Sequence, residues 1–146
     1  MSNRINVAKA VPEAYKSLMS FSLLTQGMPI TSTHKHLIKI RSSQINSCAF
    51  CINMHTVDAR KDGETEQRIY LLNAWREVKG LYTDEERAVL AFTEEVTLIN
   101  QHAVSDATYN ELTKYFDEAY IGALLMAIVT INAWNRIAIT TELQPA

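Results

Sequence analysis

The sequence predicts an all-α fold, a compact single-domain bundle of six or seven helices spanning residues 1–146. Three observations carry that expectation. Glycine occurs four times and proline three, too few to punctuate a chain of many short strands. Strong helix formers recur at three- and four-residue spacings from end to end. Hydrophobic residues make up 47% of the 146 and charged residues 21%, the balance of a globular domain that buries its core without disulfide staples.

Each element has its own signal. A first helix is expected over residues 12–25, with Pro12 early in it and Gly27 just past its end, before Met28 and Pro29 break the chain. The next begins near Ser32 or Thr33, carries Leu37, Ile38 and Ile40 inward, and closes before Asn46 and Ser47. A further helix opens at Ser47 or Cys48, with Ser47 as the expected N-cap, and ends at Asp62 and Gly63. Thr65 caps a segment reaching Trp75. Thr83 and Glu86 form a capping-box pattern ahead of Ala88, Val89, Ala91 and Phe92, and Ser105 caps a short helix. The last helix, residues 118–141, carries Leu124, Leu125, Ile128, Ile131 and Trp134, and Gln144 and Pro145 read as a tail.

Charge and composition exclude several classes. A formal net charge of −2 with scattered Lys and Arg offers no footprint for nucleic acid. The N-terminus has Arg4 and Lys9 but no apolar run of the secretory kind, so a cytoplasmic location is expected. The most apolar stretch, residues 119–131, would reach about 20 Å as a helix against a ~30 Å hydrocarbon core, and reads as a buried helix rather than a membrane span. Two cysteines, Cys48 and Cys51, are too few for a scaffold of disulfides; they are local chemistry.

Those cysteines open the motif C-x-x-C-x-x-x-H, Cys48 to His55. Taking Cys48 as zero, a helix places Cys51 near ~300° and His55 near ~340°, so all three share one face. The thiolate is the nucleophile, and an isolated cysteine is mostly protonated at neutral pH. A helix N-terminus favours an anion on Cys48, while His55, one turn beyond Cys51, is placed to accept its proton. The first argument favours Cys48 as attacker and the second Cys51; the reading taken is Cys51 attacking and Cys48 resolving, with attack on a peroxide giving a sulfenic acid and then a disulfide. A zinc site is the rival, with Cys48, Cys51, His55 and a fourth ligand from His34, His36 or Asp58. His34 and His102 read as surface residues, and Asp58 as a solvated acid. Trp75 and Trp134 read as anchors of core or subunit interface. Tyr15, Met19 and Phe21 either cover the thiol site or pack between subunits.

Several stretches resemble one family: Leu37-Ile38-Lys39-Ile40-Arg41, Ser43-Gln44-Ile45-Asn46, the Cys48 to His55 motif with Thr56, Asp58-Ala59-Arg60, Gly63-Glu64-Thr65-Glu66-Gln67-Arg68 and Asn73-Ala74-Trp75-Arg76-Glu77. The match continues through Glu85, Arg87 and Ala88 to Ile131-Asn132-Ala133-Trp134-Asn135-Arg136, so it covers residues 30 to 140. The chain resembles the alkylhydroperoxidase D-like family, within the carboxymuconolactone decarboxylase superfamily. The resemblance implies a helical fold assembling as a homotrimer or homohexamer, no bound cofactor, and peroxidase or disulfide-reductase activity. The substrate would be a hydroperoxide or disulfide, and a dithiol partner would return the electrons. It also implies that Cys51 reacts, Cys48 resolves and His55 relays a proton. Two positions depart from the family pattern: His36 stands where a relay glutamate is usual, and Ser47 where glycine often precedes the first cysteine. His36 is therefore a possible relay residue, though an imidazole lacks the fixed negative charge of a carboxylate. The alternatives are a redox-sensing or zinc-binding module without turnover, and a lyase of the superfamily's eponymous type.

Overall fold

The computed structural model describes residues 3–145, and among them every regular element is helical. Eight α-helices follow in order: α1 (Val7–Ala10), α2 (Pro12–Gln26), α3 (Ser32–Ile45), α4 (Ala49–Lys61), α5 (Glu66–Leu71), α6 (Asp84–Thr97), α7 (Asp106–Leu112) and α8 (Glu118–Thr140). The count exceeds expectation by α1, a single turn capped by Asn6 that gives no periodic signal. The segment expected to run from Thr65 to Trp75 is α5 followed by a 3₁₀ turn, Leu72–Ala74.

Side-chain caps set most of the starts. Thr31 caps α3, Thr65 caps α5 and Ser105 caps α7 through the usual bond to the third residue's N–H. Thr83 and Glu86 complete the capping box of α6, and Asp117 caps α8. One expectation is corrected. Ser47 is not the cap of α4; it has φ 57°, and Cys48 is the cap residue. Two turns compete for the same short link, and Ser47 takes the left-handed position that ends α3.

The core has two main clusters. Ile38, Val89, Phe92, Leu124, Ile128 and Ile131 join α3, α6 and α8, while Leu37, Ile40, Leu72, Trp75 and Leu90 close the other side of α3. Helix α8 is 23 residues, longer than its apolar stretch suggested, and by length and composition it could cross a membrane. Half of its apolar window is buried inside the protein. Its inward face also carries buried Asn135, which suits a core helix bonded to its neighbours.

That asparagine belongs to a polar network fixing the C-terminus of α3. Asn135 Nδ2 donates to Ser43 Oγ at 3.0 Å, and Asn46 Nδ2 donates to both Asn135 and Asn132 Oδ1 at 2.9 Å. Thr97 Oγ1 donates to Ser42 Oγ at 3.2 Å and accepts from Asn132 Nδ2 at 3.1 Å. Three helices are thus pinned at the point where the chain turns into α4, and a buried network with its partners in place rigidifies its surroundings. Two further hubs tie α6 to α3, to α5 and to the segment after the 3₁₀ turn. Glu94 accepts from Arg41, Trp75 and Arg76, and Arg68 joins Glu64 to Glu86.

Candidate thiol site

The site begins at the α3–α4 link. Cys48 N–H donates to the Ser43 carbonyl at 2.9 Å, closing α3, and Cys48 Sγ accepts from Cys51 N–H at 3.3 Å, capping α4. The sulfur therefore stands where the helix's unpaired N–H groups stabilise negative charge. Cys48 and Cys51 are joined as a disulfide with Cα atoms 5.3 Å apart, inside the range such a bond requires. They are 1% and 2% exposed.

The two sulfurs differ in access. A cavity of about 930 Å³ lies among α1, α2, α3, α4 and α8, and Cys51 and His55 line it while Cys48 does not. Its walls include Tyr15 and Met19 of α2, Lys39 of α3 and Trp134 of α8. Tyr15 and Trp134 meet edge to face with ring centroids 5.4 Å apart. Trp75 is the core anchor expected, and Trp134 lines the cavity. Of the three α2 residues left undecided, Tyr15 and Met19 line the cavity with Cys51, and Phe21 does not.

His55 is 8% exposed, and its Nδ1 has no hydrogen-bond partner. Burial pushes its pKa down to about 4, the Lys39 and His36 charges add to the fall, and Asp58 opposes it. The ring is therefore neutral at neutral pH with its Nδ1 unoccupied, and its burial and the neighbouring positive charges work against the protonated form. Lys39 was not singled out as a site residue by the sequence. Burial lowers its pKa too, with Asp58 and Asp62 opposing.

His36, the family departure, is buried, and its Nε2–H donates to Asp62 Oδ2 at 2.7 Å. Ser32 Oγ donates to the same oxygen at 3.2 Å. These two bonds hold the Asp62 carboxyl below its ordinary pKa, so it is ionised at neutral pH. The other His36 nitrogen, Nδ1, is buried without a partner, like His55 Nδ1. Asp62, legible only as a helix end, brings a half-exposed carboxylate onto the His36 ring.

His34 is a correction: it is buried rather than superficial, its Nδ1 lies 2.7 Å from the Tyr120 hydroxyl, and its ring packs on Phe116. His102 is exposed, as expected. The zinc reading finds no ligand set, since among the described residues no three His, Cys, Asp or Glu side chains are grouped to hold a metal. Of its proposed fourth ligands, His34 is bonded to Tyr120, His36 to Asp62, and Asp58 is exposed.

Residues 12–95 match the carboxymuconolactone decarboxylase family. An uncharacterized protein of Bacillus subtilis, YdfG, is 47% identical over 139 residues, which is 95% of this chain and 94% of its own length. A crystal structure from Agrobacterium tumefaciens, of a protein of unknown function proposed to be the antioxidant defence protein AhpD, superposes with a TM-score of 0.95 at 40% identity. The alignment covers 100% of this chain and 99% of that one. The debrominase Bmp8, solved with 2,3,4-tribromopyrrole, shares the fold at TM-score 0.84 and 17% identity, over 94% of this chain and 73% of its own. The sequence match and the superposition agree, and the Cys48–Cys51 pair at disulfide distance supports a redox role: the chain belongs to the carboxymuconolactone decarboxylase family, in its alkylhydroperoxidase D-like branch.

Proposed function

We propose that this protein is a thiol-dependent peroxidase and disulfide oxidoreductase in which Cys51 attacks, Cys48 resolves and His55 carries the proton. One observation carries the assignment: Cys51 shares a cavity with His55, whereas Cys48 lies off that lining, bonded to Cys51. In the reduced protein His55 takes the Cys51 proton, and the thiolate attacks the terminal oxygen of a hydroperoxide ROOH. The O–O bond breaks, Cys51 becomes a sulfenic acid, and the departing alkoxide takes the proton from His55 as ROH. Cys48 then displaces water from that sulfenic acid to form the disulfide. A dithiol reduces the disulfide and leaves as its own disulfide. The cycle consumes one hydroperoxide and one dithiol, yields ROH, water and a disulfide, and needs no resident cofactor. A cytoplasmic compartment suits it, because dithiols are kept reduced there.

Within this reading the Asp62–His36 pair is the acidic member of the relay. Ionised Asp62 orients His36 and supplies, through the imidazole, the negative charge that a glutamate would supply directly. We also propose a homotrimer or homohexamer. Leu23 and Leu24 of α2 and Leu125 and Val129 of α8 are exposed apolar residues that a second copy would cover. Light scattering giving a threefold or sixfold multiple of 16.5 kDa supports the assembly, and a monomer at micromolar concentration contradicts it.

The function is tested by titrating the reduced protein with tert-butyl hydroperoxide. One equivalent should remove both thiols, form the Cys48–Cys51 disulfide and release one equivalent of alcohol, and an added dithiol should make the reaction catalytic. Slow, unrecycled oxidation would instead indicate a sensor.

A further inference from the structure

The cavity that reaches Cys51 has a charge pattern of its own. Arg4, Lys9, Lys35 and Lys39 border it and no Asp or Glu does, although the chain as a whole is slightly acidic. Two of these cations are occupied: Arg4 pairs with Glu142 at 3.2 Å, and Lys35 Nζ donates to the Gln26 carbonyl at 2.6 Å. Lys39 differs. It is half-buried in the wall beside Cys51 and His55, and none of the hydrogen bonds or ion pairs formed among the described residues involves its ammonium. The acids that act on it, Asp58 and Asp62, do so at longer range and from outside the lining.

A cation partly stripped of water and given no acceptor is costly, and the cost is recovered when a ligand brings an anion. The remaining walls ask for the opposite. Met19, Phe50, Ile131, Trp134 and Ile137 present apolar surface, and the volume, about 930 Å³, is within the range of small-molecule sites. Lys9, the fourth cation, is exposed to water, so Lys39 is the one half-buried ammonium without an acceptor and matches one negative charge; the forked donor in the lining, Arg4, is already paired with Glu142.

We propose that the cavity binds an extended apolar molecule ending in a single carboxylate, the carboxylate received by Lys39 and the chain lying against Met19, Phe50 and Trp134. This deepens the thiol-peroxidase reading and rests on it in one respect: the substrate class becomes apolar acids that carry the hydroperoxide. Because the carboxylate is held in the wall that also holds Cys51, the acid's own charge positions the reacting group, and neutral hydroperoxides forgo that contact.

The test uses the full chain in its disulfide form, so that no thiol chemistry intervenes. Decanoate, decan-1-ol and decyltrimethylammonium are titrated at neutral pH, followed by calorimetry and by tryptophan fluorescence. Decanoate should bind at least about tenfold more tightly than decan-1-ol, the range expected for a hydrogen bond between charged groups, and the cation should bind worst. Lys39→Met should erase the preference and Lys39→Arg should keep it. Trp134→Phe should remove the fluorescence response while the heat remains. Equal affinity for decanoate and decan-1-ol, a preference that survives Lys39→Met, or no binding to the folded wild-type chain overturns the proposal. Oxidation of the reduced protein by hydrogen peroxide, which has no chain to place, is measured in parallel. Its failure would sink the thiol reading while leaving the carboxylate site standing, and its success without a decanoate preference would do the reverse.

Discussion

His36 and Asp62 are 26 residues apart in sequence and 2.7 Å apart in space, the imidazole Nε2–H of one directed at the carboxylate of the other. The bond joins the first half of α3 to the residue that ends α4. It places an ionised acid against a buried ring whose remaining nitrogen has no partner, and that ring's charge acts on a second one, His55, in the same condition.

If that pair works as one unit, Asp62→Asn and His36→Ala should each slow oxidation of Cys51 by roughly tenfold, and the double variant should be no slower than either alone. Initial rates with tert-butyl hydroperoxide read this out, with the pH profile of each variant as a check against a purely structural effect. Additive losses would separate the two residues. His36→Glu, which looks like a repair of the family pattern, should lower the rate, because it sets one carboxylate against another at Asp62.

His55 should shape the pH dependence of stability. Its folded pKa is about 4 against an ordinary 6.5, chiefly through burial. Between those values the unfolded chain holds a proton that the folded chain does not, so stability rises with pH across the window. The contribution is fully present above pH 6.5 and is lost as the pH falls toward 4, by an amount on the order of 3 kcal/mol. Buried His34, lowered in the same direction, adds to the trend. Urea midpoints of the disulfide form at both ends of the window should show a large fall for wild type and a smaller one for His55→Gln. Parallel falls would remove His55 from the explanation. The same variant should lose about 10² to 10⁴ in peroxide rate, the usual worth of acid–base help.

Ser47 holds φ 57° between α3 and α4. A side chain in that region costs about 1 kcal/mol or more, and glycine avoids the cost. Ser47→Gly should therefore raise stability by about 0.5–1 kcal/mol, and Ser47→Val should lower it by more. Thermal melts decide the matter. A loss on Ser47→Gly would mean that the serine side chain contributes more than the strain removes.

Much of this arrangement was legible in the sequence, and the gaps have physical causes. Helix period located α3, α6 and α8, which bury apolar faces, while caps and flanking Pro or Gly marked α2, α4, α5 and α7; α1 is one turn with no buried residue to show. Helical geometry put Cys48, Cys51 and His55 on one face; Cys51 and His55 both line the cavity, whereas Cys48, the cap residue before α4, does not. Ser47 was misjudged as a cap because serine is a good one, and only the tertiary pinning of Asn46 to Asn132 and Asn135 turns the chain so that Cys48 takes that place. Asp62 and Lys39 carry no signal of a place at the site, and Trp134 reads as an anchor, because their surroundings depend on which helices meet. Nothing local in α3 says that the end of α4 will supply His36 with a carboxylate, or that Trp134 of α8 will wall the cavity. His34 failed for the same reason, as its partners Phe116 and Tyr120 come from the far end of the chain.

The roles of the two cysteines are measured most directly by trapping. Reduced Cys48→Ser and Cys51→Ser proteins are each treated with one equivalent of tert-butyl hydroperoxide in the presence of dimedone, and the adducts are located by mass spectrometry. Cys48→Ser should give a sulfenic acid adduct on Cys51 at close to the wild-type rate of first oxidation, and Cys51→Ser should react slowly or not at all. A rapid adduct on Cys48 in the Cys51→Ser protein, with Cys51 inert when Cys48 is replaced, would contradict the assignment and make the helix N-terminus, rather than the shared cavity with His55, the source of the reactive thiolate.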